Sequence, residues 1–302
     1  MNKIIVVSCL LLVVSLVGGC GERVETTEYF YSPTFTNDGK VLYVGLVESV
    51  TKNNLGSQLG SSSSQYVKTI YPTGTGESIT LFDATAEIPY HLSCSPTRDY
   101  VAYLGALSNS RYGKIVIKSI STEAFTGLQD VELSFDPPIR SFDWTPDGNG
   151  FVYCTTNEVR IRAWNDYTGS SDTLITAESG LTFVSWQYGG RVAFVRTSGA
   201  DTLLSLIYSD GSGRIDLTAA ASVDLPQISA VNTNEVFGIA GGAYCSVDVS
   251  AVTPATVEVE PSFTGVLPRL SPDATMVTYS KSGETSGVYI LYTATGTEEA
   301  IK

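Results

Sequence analysis

A chain of 302 residues with 31 acidic and 18 basic side chains, net charge −13, would be repelled by a nucleic-acid backbone, and no basic run offsets that. One histidine and five cysteines at spacings that fit no zinc pattern leave too few ligands for a Cys/His metal site. Hydrophobic residues make up 43% of the chain, enough to build a large core, and the acidity suits solubility at a cell surface.

The chain opens "MNKIIVVSCLLLVVSLVGGCGE". One lysine, a short apolar run from Ile4 to Val17 and two glycines form a secretory signal, too short to span a membrane comfortably. Val17-Gly18-Gly19-Cys20 resembles the bacterial lipobox, which implies cleavage before Cys20 and a lipid on its sulfur. The alternative is an ordinary cut near Gly19 or Gly21 and a secreted protein. Gly21 is not an aspartate, so the outer membrane, at its periplasmic face or the cell surface, is the expected address. Taking Lys3 away with residues 1–19 leaves 17 basic against 31 acidic residues, about −14. Cys9 leaves with the signal, and Cys94, Cys154 and Cys245 sit in strand-like apolar contexts that predict small buried side chains.

The rest of the chain repeats. In order, the copies open at "FTNDGKVLYV" (35–44), "CSPTRDYVAYL" (94–104), "WTPDGNGFVYC" (144–154), "WQYGGRVAFV" (186–195), "ISAVNTNEVFGI" (228–239) and "LSPDATMVTYS" (270–280). Each is an apolar residue, a polar turn and a strand reaching an aromatic: Tyr43, Tyr103, Tyr153, Phe194, Phe237 and Tyr279. Their separations are 60, 50, 41, 43 and 42 residues. A further alternating or β-branched run follows each, at 65–72, 114–120, 158–164, 202–208, 244–249 and 287–293. Most copies carry a fourth, at 78–83, 128–134, 171–177, 213–219 and 255–260, and short inner strands such as 139–144 and 181–186 precede the openings. No stretch carries a usable helical period. Four short strands in six copies predict an all-β, six-bladed β-propeller over residues 29–302, after a signal (1–19) and a lipidated tether (20–28). Only "EEAIK" is left for the outer strand of blade six, so "VETTEYFY" (24–31) either completes that blade or belongs to the tether.

"WTPDG" and "LSPDA", each followed by a strand ending in an aromatic, resemble the repeat of the TolB-type propeller over about residues 30–295. Copies one, four and five have lost the proline or the aspartate. The resemblance implies the fold and a frequent role in protein–protein contact, and fold alone does not imply function.

Asp147-Gly148-Asn149-Gly150 could begin an oxygen-rich cation loop, but no acid follows until Glu158, and a Pro-Asp-Gly corner explains the same residues. A Ser/His/Asp triad would have to use His91, and no Gly-X-Ser-X-Gly elbow is present. His91, Arg140 and Arg269 each precede an inner strand, which would place them near one mouth of the channel, on the face opposite the Pro-Asp-Gly turns. The same face would carry the extra residues 48–65 of blade one and 105–113 of blade two, with 55–65 reading as a Ser/Gly-rich flexible insert. Tyr66, Arg111 and Tyr112 flank these segments as candidate contacts. The reading is a monomeric, lipid-anchored binding module for an envelope protein or a glycan, with no cofactor or metal. A propeller hydrolase or lyase acting on glycans and a structural envelope component are the alternatives.

Overall fold

The computed structural model describes residues 22–54, 56–78, 82–83, 90–106, 112–120, 131–165, 169–188, 190–281 and 286–302. The signal segment, Cys20 and Arg111 lie outside the described residues. Twenty-four strands form six four-stranded antiparallel sheets, each made from consecutive strands. Blade one holds β1 (Arg23–Phe35), β2 (Val41–Lys52), β3 (Gln58–Ile70) and β4 (Phe82–Asp83). Blade two holds β5 (Tyr90–Cys94), β6 (Tyr100–Ala106), β7 (Tyr112–Ser119) and β8 (Val131–Ser134). Blade three holds β9 (Ser141–Trp144), β10 (Gly150–Cys154), β11 (Glu158–Ala163) and β12 (Thr173–Ala177). Blade four holds β13 (Leu181–Ser185), β14 (Val192–Ser198), β15 (Asp201–Ile207) and β16 (Ile215–Asp216). Blade five holds β17 (Asp224–Ile228), β18 (Glu235–Ala240), β19 (Ala243–Asp248) and β20 (Thr256–Glu260). Blade six holds β21 (Val266–Leu270), β22 (Met276–Lys281), β23 (Gly287–Tyr292) and β24 (Thr297–Ala300). Among the described residues the one helical element is a 3-10 turn, Ala219–Ala221.

The first strand of each blade touches the first strand of the next, and β21 touches β1, so the sheets close into a six-bladed propeller. The second strands are almost continuously apolar because each blade is covered on both faces. Apolar side chains fill the seams between neighbours: Phe142, Trp144 and Phe151 pack with Leu104 and Ile115 between blades two and three, and Phe237 and Tyr244 with Val277 and Leu291 between five and six. Cys94, Cys154 and Cys245 are free and buried in these seams, and burial raises all three thiols, Cys154 to about 12.

The ring closes differently from either expectation for residues 24–31. They belong to β1, the inner strand of blade one, so residues 23–28 are strand and not tether. Blade six completes itself with β24. Closure is made by side chains: Phe35, Val41, Tyr43 and Ile70 of blade one pack against Val288, Ile290 and Ile301. Lys302 Nζ adds an ion pair to Glu77 at 2.9 Å.

The flexible insert expected at 55–65 is also corrected. β2 runs on to Lys52 and β3 starts at Gln58, with register from Leu46↔Gln65 to Lys52↔Gln58. β1 covers the other edge of β2, from Arg23↔Lys52 to Tyr31↔Val44. Val24, Thr26, Thr27, Val47, Val50 and Thr51 favour strand, and the serines opposite are carried along in the ladder. The turn is only 53–57, where Asn53 Oδ1 accepts from Ser57 N–H at 2.9 Å and Gly56 takes φ 80°. Blade one therefore extends as a three-stranded projection.

Candidate functional site

Side chains alternate across a strand, so one position in each inner strand faces the axis. Register identifies it: Thr34↔Leu42, Ser93↔Ala102, Asp143↔Val152, Ser185↔Ala193, Gln227↔Phe237 and Arg269↔Thr278. These six residues, one per blade, are all buried and form a polar ring around the channel. Asp143 is its hub. Its Oδ1 accepts from Ser93 Oγ at 2.6 Å and from Trp144 N–H at 3.1 Å. Its Oδ2 accepts from Ser185 Oγ at 3.0 Å, Trp186 N–H at 3.1 Å and Gln187 N–H at 3.2 Å. One carboxylate thus ties blades two, three and four together, as a buried charge must be tied. Gln187 Nε2 also donates to the Cys94 carbonyl, and Gln227 joins blade five to six by accepting from Leu270 N–H and donating to the Pro268 carbonyl.

Ahead of this ring the inner strands buckle. Ser32, His91, Leu225 and Leu267 take φ of 47°, 56°, 49° and 51°, a region that L residues rarely occupy. Each sits at a register shift of its own inner strand, a β-bulge that re-aims the chain. With Pro33, Phe183 and Pro268 they leave a cavity of about 10 Å³, room for one water.

His91 and Arg269 meet here. Arg269 Nη2 lies 3.0 Å from His91 Nε2, and the same nitrogen lies 2.9 Å from the Phe142 carbonyl. Nε2 can donate to the carbonyl or accept from the guanidinium, not both, so one contact is always uncompensated. Burial and then the Arg269 charge push the His91 pKa down to about 3, which keeps the ring neutral. Burial also lowers Arg269, opposed by the negative charge of Asp143.

The other expected residues lie elsewhere. Arg140 is exposed, its Nε 3.4 Å from Thr156 Oγ1, and does not join the pair. Tyr66 is half-buried inside blade one: its hydroxyl donates to Glu28 and its ring lies over Gly45, where any Cβ would collide with it. Burial and Glu28 hold its hydroxyl protonated. Tyr112 is placed by its backbone in β7, opposite Ala106. Sequence reasoning passed over Ser93, Asp143, Ser185 and Gln227. Their signal was a polar residue directly before the apolar opening of a repeat, in an otherwise apolar strand.

The Asp147 corner is a turn. Asp147 Oδ1 accepts from Thr145 Oγ1 at 2.5 Å and Asn149 N–H at 3.0 Å, and these bonds hold its carboxyl below the usual range. Thr36–Asp38 and Ser271–Asp273 repeat the lock at 2.5 and 2.6 Å. Gly148 takes φ 66°, and a side chain there would strike Thr97 of the neighbouring turn.

A second concave site lies between blades two and three, a cavity of about 330 Å³ lined by Phe135, Asp136, Tyr153, Glu158, Arg160, Arg162 and Asp172 among others. Among the described residues no group of three or more His, Cys, Asp or Glu is arranged to hold a metal ion.

No family model matches the chain, and no curated protein matches it either. Solved structures do. A chain of the nidogen/laminin complex is 9% identical over 90% of this chain and 91% of its own, with a TM-score of 0.55. Oligogalacturonate lyase in complex with manganese is 14% identical over 97% and 84%, TM-score 0.50. A protein assigned as TolB from Agrobacterium tumefaciens is 15% identical over 94% and 90%, TM-score 0.45. At such identities the likeness to the first two shows the propeller fold and nothing finer.

Proposed function

We propose that this chain is a non-catalytic binding module, held at the cell envelope by a lipid on Cys20, that uses the blade-one projection to contact an envelope protein. The observation that carries the reading is the projection itself. The ring needs only the ring-proximal ends of β1, β2 and β3, yet all three continue in register to Arg23, Lys52 and Gln58. Ordered strands with exposed serines and Leu59 at 54% exposure offer a rigid contact surface, and rigid surfaces bind at low entropic cost. β1 begins three residues after Cys20, so the projection would stand next to the anchor. The channel supports the reading from the other side, since Asp143 is taken up by five hydrogen bonds within the protein.

A photo-activated cross-linker at Ser62, in the projection, is expected to capture an envelope protein in intact cells. The same group at Asn37, at the opposite end of the β1–β2 pair, is expected to capture none. Equal capture at both positions removes the basis for the projection as a contact surface. Cys20→Ala is expected to abolish lipid labelling and release the protein from membranes. Unchanged fractionation removes the anchor.

A further inference from the structure

We infer that the cavity between blades two and three is a binding site for a neutral saccharide. It lies apart from the blade-one projection and does not depend on the anchor. At about 330 Å³ it reaches the size at which small-ligand pockets begin, about 300 Å³, whereas the channel cavity holds one water. This cavity lies off the axis of the propeller, between its blades.

The lining is built and held before any ligand arrives. Glu158, Arg160 and Arg162 alternate along β11 and so share one face. Arg162 is buried, 4% exposed, with Nη1 donating to the Ser134 carbonyl at 3.2 Å and its guanidinium 4.9 Å from the Phe135 ring centroid. Arg160 Nε donates to Glu158 Oε2 at 2.9 Å. Asp172 Oδ1 accepts from Tyr153 at 2.8 Å. Phe135 and Tyr153 rings pack 4.7 Å apart in the wall.

The charges select the ligand class. Two guanidiniums face three carboxylates, Asp136, Glu158 and Asp172, so an anion meets net repulsion. A simple cation finds Glu158 and Asp172 already engaged by Arg160 and Tyr153. A sugar hydroxyl donates and accepts at once, and vicinal hydroxyls match carboxylate and guanidinium groups that alternate along a wall. Phe135, half-buried and backed by the buried Tyr153 ring, offers an apolar surface to the C–H face of a pyranose ring.

The test is saturation-transfer NMR on the full chain in detergent, with glucose, galactose, N-acetylglucosamine and their β-1,4-linked disaccharides as probes, and glutamate and lysine as charged controls. Saturation transfer to at least one sugar and to neither control is expected. Affinity for that sugar should fall at least tenfold in Arg160→Gln and in Asp172→Asn, the latter keeping an oxygen for Tyr153, with the melting temperature close to that of the parent. No transfer to any sugar, preference for either charged control, or binding unchanged in both variants overturns the site.

Discussion

The channel and the cavity between blades two and three are both lined by charged and polar side chains, and they use them in opposite ways. In the channel Asp143 accepts five hydrogen bonds from three blades, and His91 and Arg269 face each other in a space for one water. Between the blades, Arg160, Arg162 and Asp172 are held by neighbouring side chains and backbone and face an open 330 Å³. The difference teaches that polarity alone does not mark a binding site. What marks it is polarity that is held in place and still has space in front of it. At the axis, the bulges at Ser32, His91, Leu225 and Leu267 surround a cavity of about 10 Å³, too small for more than one water.

The contrast predicts large stability effects in the channel and small ones in the cavity. Asp143→Ala strips an acceptor from two hydroxyls and three N–H groups and leaves Arg269 without its counter-charge. Breaking a buried charged network of this kind costs about 3–5 kcal/mol, to be read by denaturant unfolding. A loss under about 1 kcal/mol would mean that the channel is wet and open, erasing the contrast.

Acid tests the same region. Folded His91 titrates near 3, below the 6.5 of the unfolded chain. Between these values the unfolded chain binds a proton that the folded chain refuses, so stability is complete above about pH 6.5 and falls as pH drops towards 3. At pH 4.5 the loss from this group is about 2–3 kcal/mol. His91→Asn, which tolerates the left-handed backbone, should remove that component, and the comparison of pH profiles separates it from the carboxylates. Parallel profiles for parent and variant would show a solvated His91.

Backbone strain has to be separated from chemistry at these positive-φ sites, and Ala274 offers the control. It takes φ 58° where copies one and three have Gly39 and Gly148, and a Cβ is disfavoured there. Ala274→Gly is expected to stabilise by about 1 kcal/mol, read as a raised melting temperature. The smallest effect belongs to the cavity: Arg160→Gln removes a partly exposed ion pair with Glu158 and should change stability by less than about 1 kcal/mol.

The repeat made the architecture legible. A polar corner followed by an apolar strand and an aromatic recurs because each blade needs a turn and two buried faces, and the corners at Asp38, Asp147 and Asp273 are locked by the hydroxyl two residues before. The burial of the three cysteines followed from the same apolar contexts. Counting strands put His91 and Arg269 at equivalent ends of their blades, and their side chains lie 3.0 Å apart. Arg140 shares the count and stays outside, because side-chain direction depends on the local bulge, and the register shifts of β5 and β21 have no counterpart in β9. The length of β1, β2 and β3 escaped for a different reason. Serine has little strand preference of its own, and "GSSSSQ" becomes strand only because β2 offers it a ladder.

What the sequence determined by itself is therefore whatever repeats along the chain: six blades, their turns, their apolar faces. What only the tertiary structure decided is whatever joins residues from different blades. Asp143 finds Ser93 and Ser185 some 50 and 42 positions away, Arg269 finds His91 178 positions away, and Phe135 of one blade's exit roofs Tyr153 of the next. Periodicity fixes the fold of each blade through local geometry. The closure of the ring chooses which side chains become neighbours, and whether space is left between them.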